Sequence, residues 1–243
     1  MKVLSIDFDY FQDVTRDDVA DYPDGLDLPP ALSADVWASH YAYKESLSSL
    51  KLNENEIRLM KNILLEQKRV KSVKIALSHK DIYQHIKDEY DGSGLDVVNV
   101  DMHHDMFNDN PELDCGNWGF HVIKDFNASF SWVANKISKE CYGMTGEEFG
   151  VIKESLSEIA GEQFDLIFLC RSDNWLPPHF DKEFTTLAKT LISLSIIKNY
   201  DCMVQKSALE PRQYDDTAKT LKKMRDKMYH DAKKKRKAEP EQY

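Results

Sequence analysis

Short apolar runs that stop at acidic or imidazole side chains set the terms for this sequence. Leu95 to Val98 is bounded by Asp91-Gly92-Ser93-Gly94 and runs straight into Asn99-Val100-Asp101-Met102-His103-His104-Asp105. A continuous apolar run of this length between turn signals predicts a strand buried on both faces, as in parallel sheets. In open α/β sheets the carboxyl ends of such strands are where ligands bind. Extended backbone points alternate residues the same way, so Asp101, His103 and Asp105 are expected to converge. A mixed carboxylate and imidazole set suits Mn²⁺, Fe²⁺ or Zn²⁺ better than Ca²⁺ or Mg²⁺. Taken alone, the triplet is also what a helix cap or a solvated turn looks like.

The same arrangement recurs along the chain. Val3-Leu4-Ser5-Ile6 leads into Asp7-Phe8-Asp9, a second carboxylate pair at the end of a predicted central strand. Residues 12–30 are rich in Asp, contain Pro23-Asp24-Gly25 and Pro29-Pro30, and read as a long irregular loop, either a cleft wall or a solvated acidic loop. Helices are predicted from an N-cap at Ser33 to Leu50, with Trp37, Tyr41 and Leu47 inward, and from about Glu54 to Arg69. In the second, Ile57, Met60, Ile63 and Leu64 form a core stripe. Val73 to Leu77 is another strand, and it delivers His79 to a junction before a helix from Ile82 to Tyr90, on which His85 is expected at the surface.

Glycines punctuate Asp114-Cys115-Gly116-Asn117-Trp118-Gly119-Phe120-His121, so Asn117 and Trp118 belong either to a substrate-contacting segment or to a tight turn around a buried Trp. Ser129 to Ala134 reads as a strand, and Thr145 to Ala160 as a helix with Glu147 and Glu148 in its first turn. Phe164 to Cys170 is a further strand, and Phe184 to Ile197 a further helix. Such alternation predicts an α/β fold, three-layer and doubly wound around a mainly parallel sheet.

A chain of 243 residues suits one domain of this kind, taken as residues 1–212, with 213–243 as a basic helix or tail. Lys219, Lys222, Lys223, Arg225 and Lys227 precede Lys233-Lys234-Lys235-Arg236-Lys237 there. That segment reads as a solvated helix that frays, or as a binder of an acidic partner or leader peptide. A formal charge of −10 argues against nucleic acid and for cationic substrates. The four scattered cysteines form no CxxC pair, which argues against a zinc ribbon or disulfide framework. No apolar run reaches membrane length and Asp7 comes too early for a secretory signal, so a cytoplasmic protein without membrane contact is expected. A homo-oligomer is compatible with all of this.

Asp7, Asp9, His79, Asp101, His103 and Asp105 thus come from three strand ends, and neighbouring strands only ~4.8 Å apart can bring all six together. Four clustered carboxylates without cations would raise each other's pKa, so two divalent ions sharing carboxylates balance the set. Such a pair acidifies a bridging water, which points to metal-assisted hydrolysis.

Asp101-Met102-His103-His104-Asp105 resembles the DxHxD motif of the ureohydrolase superfamily, the arginases and agmatinases, and Ser5-Ile6-Asp7-Phe8-Asp9 resembles its SxDxD motif. Ala76-Leu77-Ser78-His79 is similar to the segment carrying that family's first histidine ligand. The resemblance implies an arginase-like fold and two Mn²⁺ held by Asp7, Asp9, His79, Asp101, His103 and Asp105, with Asp105 the partner of the bridging hydroxide. Hydroxide attack on a guanidinium carbon then releases urea. Asp7-Phe8-Asp9-Tyr10-Phe11 and Gly116-Asn117-Trp118 look closer to a divergent branch that includes peptide arginases, which implies an arginine-containing precursor peptide as partner and ornithine as product. His121 resembles loosely the family's proton-transferring histidine. Its guanidinium-binding carboxylate has no motif here, and Asp173, Glu45 and Asp27 are the candidates.

The order departs from the family, because the SxDxD strand opens this chain as in a circular permutation, and Phe11-Gln12 replaces an expected Asp and Pro. Two rival readings stand beside it. Asp7-Phe8-Asp9 also resembles the nucleophile and acid pair of haloacid-dehalogenase-like phosphatases, with Ser78 on phosphate and Asp101 and Asp105 on Mg²⁺, although Phe11 stands where Thr or Val is usual and His79 and His103 gain no role. The other is a catalytically inactive hydrolase fold that binds a peptide.

Overall fold

The computed structural model describes residues 1–23, 27–107, 110–142 and 150–238, and their side chains except those of Lys139, Tyr142 and 231–238. The Asp24-Gly25 part of the loop expected over 12–30 and the helix start at Glu147 and Glu148 lie outside the described residues, as do the side chains of the basic run 233–237.

Among the described residues seven strands form one sheet, and every pairing in it is parallel. They are Lys2–Asp7 (β1), Ser72–Ala76 (β2), Asp96–Asp101 (β3), Ser129–Ala134 (β4), Val151–Lys153 (β5), Leu166–Cys170 (β6) and Asp201–Val204 (β7). Their order across the sheet is β5-β4-β3-β1-β6-β2-β7. The described helices of nine residues or more are Pro30–Tyr43 (α1), Glu54–Leu65 (α2), Asp81–Glu89 (α3), Trp118–Phe126 (α4), Asp181–Lys198 (α5) and Asp215–Ala238 (α6).

Two-residue periodicity divides the sheet into two apolar faces. Leu4, Ile6, Val98, Val100, Ile167 and Leu169 meet Ile57, Met60 and Ile63 of α2 and Phe184, Leu187 and Leu191 of α5. Val3, Val97, Leu166 and Phe168 face the other way, against Ile82 and Ile86 of α3 and Trp118 and Val122 of α4. The chain is therefore an α/β protein whose parallel sheet is covered by helices on both faces. Central β1 lies between β3 and β6, with Ile6 opposite Val100 and Asp7 opposite Cys170. The chain leaves this centre in both directions, which makes the carboxyl end of β1 a topological switch point. Trp37 and Tyr41 of α1 close over that end with Met102, Tyr22 and Val14. Among the described residues no helix is long and apolar enough to cross a membrane.

Several expectations are corrected. Ser33 lies inside α1 rather than capping it, because Pro30 fixes the first turn, and the helix stops at Tyr43 before a 3-10 turn at Glu45–Ser49. The second helix ends at Leu65 rather than Arg69. Residues 12–30 are not wholly irregular: Gln12–Asp13 pairs with Lys51–Leu52, and Thr15 and Asp18 cap a turn of helix reciprocally. Within the helix expected over 145–160, the described residues form β5 and a 3-10 turn at Leu156–Ile159. Gly150 explains the change, with φ +78° and the Phe130 carbonyl where a Cβ would stand, and β-branched Val151 and Ile152 then pair with β4. Strand β7 was not expected from the sequence; its exposure alternates on a sheet edge. The basic helix α6 lies along α1, where Tyr214 packs 5.3 Å from Tyr41, Lys222 pairs with Glu45 and Arg225 donates to the Ala42 carbonyl.

His85 is buried in α3, not at the surface, and neither ring nitrogen has a hydrogen-bond partner. It is three residues from Ile82 and adjacent to Ile86 on the helix's inner face. Burial first, then the Lys74 charge, pushes its pKa down from 6.5 to about 4. The folded state keeps the ring neutral while the unfolded chain takes up a proton below 6.5, so stability is complete above that pH and is lost as pH falls toward 4. In urea titrations, His85→Leu is expected to shrink the difference in stability between neutral and mildly acidic pH by about 2 kcal/mol. An unchanged difference would assign that acid sensitivity to other groups.

Candidate metal centre

The switch point gathers its polar groups by simple local rules. Ser5 and Asp7 share one face of β1, and Asn99 and Asp101 share the same face of β3. Beyond the strands the alternation stops. Phe8–Phe11 forms a 3-10 turn in which the Asp9 amide donates to Asp7 Oδ1 at 3.2 Å, so Asp9 arrives by a turn rather than as the next strand residue. After Asp101 the chain bends, the His103 amide donating to Asp101 Oδ1 at 2.8 Å, and Asp105 is left-handed at φ +53°. The Asp105 carbonyl accepts from the Gly119 amide at 3.0 Å, an approach that leaves no room for a Cβ at residue 119.

The six residues Asp7, Asp9, His79, Asp101, His103 and Asp105 are brought together, each 8 % exposed or less. His79 Nδ1 stands 2.8 Å from Asp105 Oδ2 and 3.2 Å from both Asp7 Oδ2 and Asp101 Oδ2. His103 Nδ1 stands 2.9 Å from Asp9 Oδ2 and 3.5 Å from Asp101 Oδ1. Two ligand nests result, Asp7-His79-Asp101 and Asp9-Asp101-His103, and Asp101 presents one oxygen to each. These buried groups can hold metal ions. Asp9 Oδ2 and His79 Nδ1 are shielded from water yet make no aligned hydrogen bond, which is costly unless a cation takes their lone pairs.

A surrounding layer fixes the ligands. Ser5 Oγ bonds His79 Nε2 at 2.6 Å, which leaves Nδ1 turned to the carboxylates. Trp118 Nε1 donates to Asp105 Oδ2 at 2.5 Å, Asn99 Nδ2 to Asp101 Oδ2 at 3.2 Å, and Ser172 Oγ to Asp7 Oδ2. The indole of Trp175 packs 4.4 Å from the His103 ring.

Without a cation the charges distort one another. Burial, then the Asp101 charge, lifts Asp105 to about 8 against the pull of His79. Burial, with Asp7 and Asp101 beside it, raises Asp9 well above the ordinary carboxylate range. Burial opposes the charge on Asp101, but the imidazoles of His103 and His79 close beside it win and hold it well below that range. Burial likewise opposes protonation of His79, and Asp105, Asp101 and Asp7 overcome it, raising the imidazole. Asp101 is thus the carboxylate best kept ionised, which suits the ligand common to both nests.

A cavity of about 420 Å³ opens onto Asp7, His79, His103 and Asp105, with Phe107, Cys115 and Trp175 in its walls. The other sequence candidates are placed elsewhere. Asn117 staples its own loop, accepting from the Asp114 amide at 2.7 Å and donating to the carbonyls of Glu112 and Asn110. Trp118 is buried against Asp105 rather than at the cavity surface. His121, one helical turn beyond Trp118, packs on Tyr83 and does not line the cavity. Asp173 is neutralised by Arg171, with contacts of 2.5 and 3.1 Å, and Glu45 is on the outside, paired with Lys222. Asp27 accepts from Ser78, and burial raises its pKa.

Ser5, Asn99, Ser172 and Trp175 were not singled out from the sequence. Ser5 and Asn99 were legible, each two residues before a ligand on the same strand face. Ser172 and Trp175 follow β6, and only the sheet order, which sets β6 beside β1, brings them to the centre.

Comparison with protein-family models, curated proteins and solved structures finds no match for this chain. Fold and site together define a parallel α/β protein with two adjoining buried Asp/His nests able to hold metal.

Proposed function

We propose that the chain is a dinuclear hydrolase of the ureohydrolase type, with an arginase-like fold, that uses two Mn²⁺ to convert arginine side chains of a peptide to ornithine with release of urea. The observation that carries this reading is Asp101, one buried carboxylate shared by two ligand nests whose Asp7, His79 and His103 line a cavity. Asp7, His79, Asp101 and Asp105 would hold one ion, and Asp9, Asp101 and His103 the other. A pair of divalent ions supplies charge balance and a water acidic enough to lose its proton at neutral pH.

The chain's own groups do the rest. Ser5, Asn99, Trp118 and Ser172 orient the ligand set, and the rings of Phe107 and Trp175 keep the cavity walls apolar. Water adds to the guanidinium carbon, the bond from that carbon to the side-chain nitrogen breaks, and the nitrogen departs with a proton as the ornithine amine. A net charge of −10 favours approach of cationic side chains. A phosphatase reading gives no work to the two imidazoles that face the carboxylates.

Elemental analysis followed by incubation with Mn²⁺ and an arginine-containing peptide tests the proposal. Two metals per chain and a loss of about 42 Da per arginine, with urea released, are expected. Two metals without a mass change would move the substrate to small guanidino compounds, and absence of tightly held metal would overturn the assignment.

A further inference from the structure

A cationic side chain entering the cavity needs a carboxylate to receive it, and the metal nests do not leave theirs free. Among the described residues that line the cavity, Asp114 is the one carboxylate outside the six-residue ligand set of Asp7, Asp9, His79, Asp101, His103 and Asp105. It is also held in place. Asp114 Oδ1 accepts from the Gly116 amide at 2.9 Å, Oδ2 accepts from Asn110 Nδ2 at 2.9 Å, and the backbone amide donates to Asn117 Oδ1 at 2.7 Å. A carboxylate has about four acceptor positions, so each oxygen keeps one for a ligand. Phe107 and Trp175 stand in the same walls, and aromatic rings are favourable neighbours for a flat cation.

Resting on the function proposed above, we propose that Asp114 binds the guanidinium of the substrate, with Asn110 and Asn117 as the residues that position it. The carboxylate then reads charge and planarity together, because both of its oxygens are already fixed in direction. Asn117, singled out in the sequence as a possible substrate contact, acts one step back by setting the loop that carries Asp114.

The test uses the full chain loaded with Mn²⁺ and two peptides that differ only in arginine or citrulline, its neutral isostere. Asp114→Asn is expected to lower kcat/KM for the arginine peptide about 30-fold or more, chiefly through KM, and to abolish the preference for binding arginine over citrulline. Metal content should stay at the wild-type value, and Asp114→Glu should recover part of the charge preference. Turnover and charge preference retained in Asp114→Asn would overturn the inference while leaving the hydrolase intact. A wild type that prefers arginine but never cleaves it, with the preference lost in Asp114→Asn, would keep the cation site and remove the proposed reaction. A wild type with no such preference would overturn the site.

Discussion

Asp101→Ala is expected to leave neither nest able to retain metal and to lower hydrolysis at least about 1,000-fold. Each nest has an imidazole and a carboxylate of its own, and Asp101 is the group common to both. Its removal takes a ligand from each, so no second metal can compensate for the first. The metal-free fold should survive, because Asp101 is one of the charges that raise Asp9 and Asp105, and its loss relieves them. Against that relief stand the lost bonds from Asn99 Nδ2 and the His103 amide and the lost ion pairs with His79 and His103. Melting in chelator should therefore differ little between variant and wild type, while elemental analysis separates them. Full metal content in Asp101→Ala would remove the shared-ligand assignment, and Asp9→Ala, which alters one nest only, is the control.

Arg212→Met should destabilise the protein by about 3–5 kcal/mol, a large part of the ~5–15 kcal/mol available to a domain. The Arg212 guanidinium is buried, with Nη2 2.6 Å from Asp181 Oδ1 and 2.7 Å from the Leu176 carbonyl, and Nη1 2.5 Å from the Asp173 carbonyl. Met fills similar space but leaves the buried Asp181 carboxylate without its guanidinium, with the residue-212 amide at 2.8 Å and Arg171 Nη1 at 4.0 Å. Arg171 is already committed to Asp173 and to the carbonyls of Ala208 and Glu210. Arg212→Lys should rescue little, since a point charge cannot serve these separated acceptors at once. The midpoint of urea unfolding measures the effect, and a loss under about 1 kcal/mol would mean that water reaches Asp181. Because Ser172 lies between Arg171 and Asp173 and bonds Asp7, the variant also probes how firmly that ligand is held.

Much of the site was legible because strand geometry is local. An apolar run ending in a carboxylate announces both a buried strand and the direction of its last side chain, and Asp7 and Asp101 follow that rule. Asp9, His103 and Asp105 reach the centre through turns, which local pattern does not distinguish from continued strand. The substrate-side candidates fared differently, since a carboxylate's availability depends on its partners. Asp173 and Glu45 are already engaged by Arg171 and Lys222, the latter from a helix 177 residues away in sequence. His85 could have been placed inside from its spacing to Ile82, but a polar residue on a short helix reads first as solvated.

The place of β1 also bears on how the protein comes into being. Among the described residues this strand pairs with 96–100 and 166–170, so its ladder closes over long stretches of chain. Such non-local pairing is slow to form, because loop-closure entropy is lost before the contacts form. Asp7 leaves the ribosome well before the Ser172 that holds it, which comes 165 residues later. While those 165 residues are made, the growing chain carries its acidic ligands without the completed site that would discriminate between cations. Choice of metal by geometry begins only once β6 has docked beside β1.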